Sequence, residues 1–262
     1  MINAGRVGSQ GGAPNSIGFV VAYLPLLILV ITFGVGVGTV IAKRFEGDGA
    51  LSIKVVGRQW FWDVTYPTEG VKTANEIHVP AGQKVSLRVS SGDVVHTFWF
   101  PDLDRKIDLF PGRTKVVDLL VMEPGEYRAE CAEFCGIQHA NMQLVVIVES
   151  PDAFETWLAS QASTARLPTS DEQRLGFQVL LDSSCAYCHT VAGTTASGTV
   201  GPDLTHLASR RELAAGALTN TSENLRRWLI DPQHIKPGNH MPGTALNDEE
   251  IEHLTAYLES LE

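Results

Sequence analysis

The 262-residue chain is short of positive charge, with 20 Lys and Arg against 30 Asp and Glu and a formal net charge of −10. The deficit runs through both halves and leaves no basic stripe, which excludes a nucleic-acid partner. An acidic surface of this kind suits solubility or the docking of a basic partner. Cysteine is scarce: there are four, all in two tight pairs, so no lone thiol is left over. Residues 1–45 contain no acid at all, and no internal repeat is visible anywhere.

Against that background stands one long run without charge, residues 17–42. As a helix it would measure about 39 Å, enough to cross a bilayer with tilt. A signal peptide would be shorter and would end in a small-residue cleavage pattern, which is missing here. Residues 17–42 are therefore predicted to form a single membrane anchor. Gly34 and Gly38, four apart, would let a neighbouring helix approach closely. Arg6 precedes the run, and Lys43 and Arg44 follow it. Taken alone, the positive-inside rule would put the C-terminal side in the cytoplasm, although long following domains translocate largely regardless of flanking charge.

Residues 46–158 read as β structure. Short β-branched or aromatic runs, such as "NEIHVPAGQKVSLRVSS" and "MQLVVIVES", are separated by Pro, Gly and Asp turns, the pattern of a sandwich or small barrel. A short helix then grades into a polar linker, residues 159–170. From Asp171 the period becomes helical: "SDEQRLGFQVLLD" begins with an N-cap serine and acids in its first turn. "SENLRRWLID" and "NDEEIEHLTAYLESLE" are amphipathic with similar caps. The expected order is an anchor segment (1–45), a β domain (46–158), a linker (159–170) and a small all-α domain (171–262).

The second cysteine pair lies in "CAYCH", residues 185–189, and Cys-x-x-Cys-His is the attachment pattern for c-type haem. Cys185 and Cys188 would bond the two vinyl groups, and His189 would face the iron. A redox dithiol would need a βαβ context, and half a zinc site would need a second cysteine pair nearby; neither is present. Met241, fifty-two residues on, is the only methionine after Met142. Its thioether would complete the axial pair and raise the iron potential, with His206, His234 and His240 as competitors. "GPDL", with Pro202, resembles the loop of class I cytochromes c whose proline carbonyl orients the axial histidine. Gly176 and Phe177 against Tyr257 resemble the crossing of the first and last helices in that family.

The first pair lies in "CAEFCGIQHANM", residues 131–142. Cys131, Cys135, His139 and the distant His96 could hold zinc, and the two cysteines could form a disulfide. Neither reading uses Met142, whose thioether is a poor partner for zinc and a good one for copper. A single blue-copper site needs two histidines, one cysteine and a weak axial methionine, so this segment carries one thiolate too many. Two coppers bridged by two cysteine sulfurs would each take one histidine and one axial ligand. The second axial ligand is then most simply the backbone carbonyl of Glu133.

Together, "QWFWDVTYP", "DVVHTFWFPDLDRKIDLFPGR" and "CAEFCGIQHANM" closely resemble subunit II of haem–copper cytochrome c oxidases, over roughly residues 20–158. The tail from 171 resembles the subgroup whose subunit II carries its own cytochrome c. The resemblance implies a cupredoxin-like barrel with a dinuclear CuA centre on His96, Cys131, Glu133 (through its carbonyl), Cys135, His139 and Met142. It also implies a Mg²⁺ or Mn²⁺ ion on the Glu133 side chain, shared with subunit I, and places Trp60 at the surface where electrons arrive from cytochrome c. The implied partners are subunit I, subunit III and an external donor such as a cytochrome c or the bc1 complex.

In the family, this chain carries electrons while dioxygen is reduced to water in subunit I. Covalent haem and CuA are assembled outside the cytoplasm. The expected location is therefore a bacterial cell membrane, with the N-terminus inside and both soluble domains outside, against the flanking charges. The chain departs from the family in showing one apolar run where two helices are usual. It also has Gly18 where a proton-path glutamate is common. Those departures leave room for a CuA-bearing small subunit of a nitric oxide reductase, and a membrane-tethered electron carrier is the third class.

Overall fold

A computed structural model of the chain describes residues 16–45, 51–103 and 105–262, with side chains in the first helix described at 21 and 23–38. Helix α1 (Ser16–Phe45) is a 30-residue helix that contains the charge-free run 17–42 and extends through Lys43 and Arg44. Its described apolar side chains, among them Leu24, Leu27, Ile31 and Val35, are exposed, and nothing lies within 4 Å of where a Cβ would stand on Gly34 or Gly38. Among the described residues no helix is long and apolar enough to cross a membrane. Arg6, the surroundings of Gly18 and the side chains of Lys43 and Arg44 lie outside what the structure describes. Helix α1 is a compact unit by itself, and everything from β1 onward belongs to a second.

The second unit begins with β1 (Leu51–Arg58), β2 (Phe61–Tyr66), β3 (Val71–Ala74), β4 (Glu76–Pro80), β5 (Lys84–Ser91) and β6 (His96–Phe100). It continues with β7 (Arg105–Leu109), β8 (Lys115–Leu120), β9 (Gly125–Cys131) and β10 (Gln143–Glu149). They form two five-stranded sheets, ordered β3-β2-β1-β5-β8 and β4-β10-β9-β6-β7. Most neighbours are antiparallel, but β1 runs parallel to β5 and β4 parallel to β10. Strand β2 explains the packing: Trp62, Val64 and Tyr66 alternate inward while Phe61, Asp63 and Thr65 are half-exposed. That period of two is what a half-buried strand requires. Trp62 meets Phe98 of the other sheet edge-on at 5.5 Å between ring centroids. Helix α2 (Pro151–Gln161), capped by the Ser150 hydroxyl, closes this core with Phe154 and Leu158.

A second core holds Leu180, Leu225, Leu229, Leu254 and Tyr257. It is built from α3 (Asp171–Asp182), α4 (Cys185–Cys188), α5 (Ser222–Ile230), α6 (Pro232–Ile235) and α7 (Asp248–Leu258). Ser170 and Gln173 form a capping box on α3, and Asn247 and Glu250 form another on α7, so these two starts are those read from the sequence, whereas α5 is capped by Thr221 and Ser222 is its first residue. A Cβ on Gly176 would stand 1.9 Å from the His253 carbonyl oxygen, so glycine is what lets α3 and α7 touch. Phe177 packs on Tyr257 beside that crossing, at 5.3 Å between centroids.

The all-α expectation for this domain needs one correction. Residues β11 (Glu212–Leu213) and β12 (Leu218–Thr219) pair as a small hairpin. Its turn has Ala214 at φ 54° and Ala215 at φ 60°, followed by Gly216 at φ 91°. Left-handed alanines are unfavourable by themselves. They are held by the neighbouring β domain, since the Gln143 amide donates to the Ala215 carbonyl at 3.0 Å. Arg128 forks onto Glu212 along the same seam, and Arg211 reaches Glu126 at 3.1 Å.

Candidate functional site

Cys131 ends β9, Cys135 and His139 follow in the loop, and Met142 leads into β10. His96, at the start of β6, arrives from the neighbouring strand. The Cys131 and Cys135 sulfurs are 3.7 Å apart and both residues are buried. That separation excludes the disulfide, whose sulfurs stand at about 2.0 Å. It suits a shared cation, because two metal–thiolate bonds of about 2.3 Å can meet between the sulfurs. His96 Nδ1 lies 3.7 Å from the Cys131 sulfur, and His139 Nδ1 lies 3.7 Å from the Cys135 sulfur. Met142 Sδ is 3.8 Å from the Cys135 sulfur, and the Glu133 carbonyl oxygen is 3.2 Å from the Cys131 sulfur. His96, Cys131 and Cys135 by themselves bring their ligating atoms within 4.8 Å of one another.

The electrostatics fit metal-binding thiolates. The hydrogen bond from Cys135, with further bonds from His96 and the backbone, pushes the Cys131 thiol down to about 3. Cys131 and burial together push the Cys135 thiol up. The pair thus gives up one proton readily and holds the second, which bound cations would displace. Burial presses the His96 pKa down, but its bonds with Cys131 and Asp93 outweigh it and the net shift is upward.

Asp93 is a functional residue that sequence reading missed. Its Oδ1 stands 2.8 Å from His96 Nε2, which leaves Nδ1 to face the sulfurs. The carboxylate also accepts from the Gln59 and Val94 amides at 2.6 Å each. A carboxylate on the far nitrogen of a ligating histidine fixes its ring and tautomer. The available signal was an acid three residues before the isolated histidine. Glu133 is exposed, so its carbonyl faces the thiols while its carboxylate faces outward. Among the described residues that carboxylate joins no cluster of metal-ligating side chains.

Across the seam, Cys185, Cys188, His189, His240 and Met241 line one apolar cavity, with Trp60 of the β domain in its wall. The residues fit a haem. His189 Nδ1 donates to the Pro202 carbonyl at 2.7 Å, which leaves Nε2 for a metal, and burial keeps its pKa low. A Cβ on Gly201 would stand 2.5 Å from that ring, so the glycine makes room for it. Arg210 lines the cavity with a buried Nε that has no partner, and burial lowers its pKa. An unpaired buried guanidinium edge suits the carboxylates of a haem; sequence reading missed this residue too.

Of the competitors to Met241, His206 has both ring nitrogens on carbonyls, those of Glu262 and Ser163, at 2.8 and 3.1 Å. His234 is exposed and does not line the cavity. His240 lines it but turns its ring toward Trp60, 5.4 Å between centroids. Trp60 itself is only 8% exposed, so it is not a surface residue. The haem-type domain covers it, and its indole Nε1 donates to the Cys135 carbonyl at 3.0 Å.

Two family models match, "Cytochrome C oxidase subunit II, periplasmic domain" over residues 68–149 and "Cytochrome c" over 173–262. Cytochrome c oxidase subunit 2 of Alkalihalophilus pseudofirmus is 39% identical over 82% of this chain and 62% of its own length. That of Bacillus subtilis is 31% identical over 84% and 64%. That of Bacillus sp. strain PS3 is 30% identical over 92% of this chain and 72% of its own length. The chain thus spans between about three fifths and three quarters of these relatives. Because the likeness runs through both the thiolate-bearing β domain and the haem-type domain, the chain belongs to the cytochrome c oxidase subunit II family.

Proposed function

We propose that the chain is the electron-accepting subunit of a haem–copper terminal oxidase, relaying electrons from an external donor to a partner subunit that reduces dioxygen to water. The observation that carries this reading is the position of Trp60. Its indole lines the cavity of Cys185, Cys188 and His189 and donates to the carbonyl of Cys135. One side chain thus spans the two ligand sets. Covalent haem c and a dinuclear CuA centre would supply the one-electron chemistry when bound.

The chain's own residues hold, orient and enclose. Cys185 and Cys188 would anchor the haem, His189 and Met241 would hold its iron, and Arg210 would meet its carboxylates. His96, Cys131, Cys135, His139, Met142 and the Glu133 carbonyl would hold two coppers, and Asp93 would fix the His96 ring. Burial of His96, Cys131, Cys135 and Met142 keeps water out and limits rearrangement on electron transfer. The external donor would address the haem domain rather than the copper centre, because that domain already covers Trp60.

The same reading extends to the surroundings. Helix α1, which contains the charge-free run 17–42, would be the single anchor, with the N-terminus inside and the soluble unit outside a bacterial cell membrane. Subunit I would be the acceptor and subunit III a neighbour. The exposed Glu133 carboxylate would meet a Mg²⁺ or Mn²⁺ ion only if subunit I supplies the remaining ligands. The purified complex should consume dioxygen in preference to nitric oxide. Preferred consumption of nitric oxide would assign the chain to a reductase of the same superfamily.

A further inference from the structure

Lys236 caps the C-terminal end of α6, and its side chain is buried at the seam between the two cores, 2% exposed. Its Nζ donates to three backbone carbonyls: Trp60 at 2.8 Å, Asn141 at 2.6 Å and Ala214 at 2.8 Å. Each comes from a different part of the site. Trp60 spans the two ligand sets, Asn141 immediately precedes Met142, and Ala214 is the first left-handed alanine of the haem-domain hairpin. An ammonium has three protons to donate, and all three are used here.

The arrangement is costly and therefore informative. A buried cation without a carboxylate partner is unfavourable, and burial pulls the Lys236 pKa down to about 7. The three carbonyls can only accept, so they favour the protonated form. Around this point the seam has other contacts, including Gln138 Nε2 to the Pro237 carbonyl at 2.6 Å. Among the described contacts, Lys236 alone ties the tryptophan, the ligand loop and the hairpin to one atom.

We infer that Lys236 is a positioning residue for electron transfer within the chain, a three-point latch that holds the haem domain against Trp60 and the copper-binding loop. The docked arrangement is then the working one, and transfer does not wait for the domain to swing into place. The inference rests on the proposed relay, but its first test does not.

Hydrogen exchange on the full-length chain in its purified complex reads the latch directly. Lys236→Met should speed exchange around Trp60, residues 139–143 and residues 213–216 while leaving the β-sheet core unchanged. Exchange at wild-type rates in those three segments would overturn the inference whether or not the metals are as proposed. In the loaded complex, flash reduction of the haem should show transfer to copper at least about tenfold slower in Lys236→Met, the scale of losing even one of its three charge-assisted hydrogen bonds. The variant's rate should also become sensitive to solvent viscosity, with copper and haem spectra unchanged. A rate within about twofold of wild type and independent of viscosity would overturn it. Arg128→Ala, which removes an exposed ion pair at the same seam, should change the rate by less than about twofold. Equal slowing by Arg128→Ala would mean that any seam contact matters, and it too would overturn the latch. Should Lys236→Met fail to accumulate, Lys236→Gln decides by the same readings.

Discussion

Asp93 illustrates how much of a metal centre lies one bond beyond its ligands. Its carboxylate holds His96 Nε2 at 2.8 Å and is itself held by two backbone amides. Asp93→Ala should therefore weaken copper binding by about 10- to 100-fold, the usual cost of losing such a partner. A competition titration with a copper chelator would read it, and unchanged affinity would remove Asp93 from the site. Met241→Ala should open the haem iron to carbon monoxide. An unaltered spectrum would transfer the ligand role to His240, the other histidine in the cavity wall. The proposed ligands themselves were legible in the sequence because donor chemistry is local: two thiolates, an imidazole and a thioether sit within twelve positions. Asp93, Arg210 and Lys236 were not, because an acid, an arginine or a lysine acquires its meaning only from what folding brings beside it.

At the scale of elements, alternation and caps were the readable features. The inward Trp62, Val64 and Tyr66 mark β2, and Ser170 and Asn247 mark the starts of α3 and α7. The parallel pairing of β1 with β5 and β4 with β10 was not readable, since alternation is silent on which strands become neighbours. Nor was the hairpin at 212–219, whose two left-handed alanines are held by another domain. Two predictions belong here. Gly176→Ala puts a methyl into the His253 carbonyl at the α3–α7 crossing and should destabilise the haem domain by about 1–3 kcal/mol. Thermal unfolding followed at the haem band would measure it.

The second concerns β4 and β10, where His78 lies between Glu76 and Glu149 and stacks on Trp157 of α2 at 3.9 Å. Burial presses the His78 pKa down, but bonds to Glu149 and Glu76 outweigh it and hold it above 6.5. A raised histidine pKa stabilises the fold fully below the unfolded value and loses that contribution as pH rises through the folded one. The stability advantage of wild type over His78→Gln should therefore be largest below pH 6.5 and shrink above it. Denaturant unfolding across that range would show the narrowing, and a constant difference would contradict it.

For the whole molecule, the proposed relay puts both ligand sets on one chain, with Trp60 between them. The cover that the haem domain places over Trp60 was invisible in the sequence, where the family resemblance implied a surface position for that residue. In the proposed relay, that cover would direct an external donor to the haem domain. The proposed relay depends on His96, Cys131, Cys135, His139 and Met142 holding two coppers. Metal analysis of the purified, haem-loaded protein with its electron paramagnetic resonance spectrum tests that claim most directly. Two coppers per haem c and the signal of one electron shared between two coppers are the expected result. A single copper per haem, or stoichiometric zinc, would contradict it.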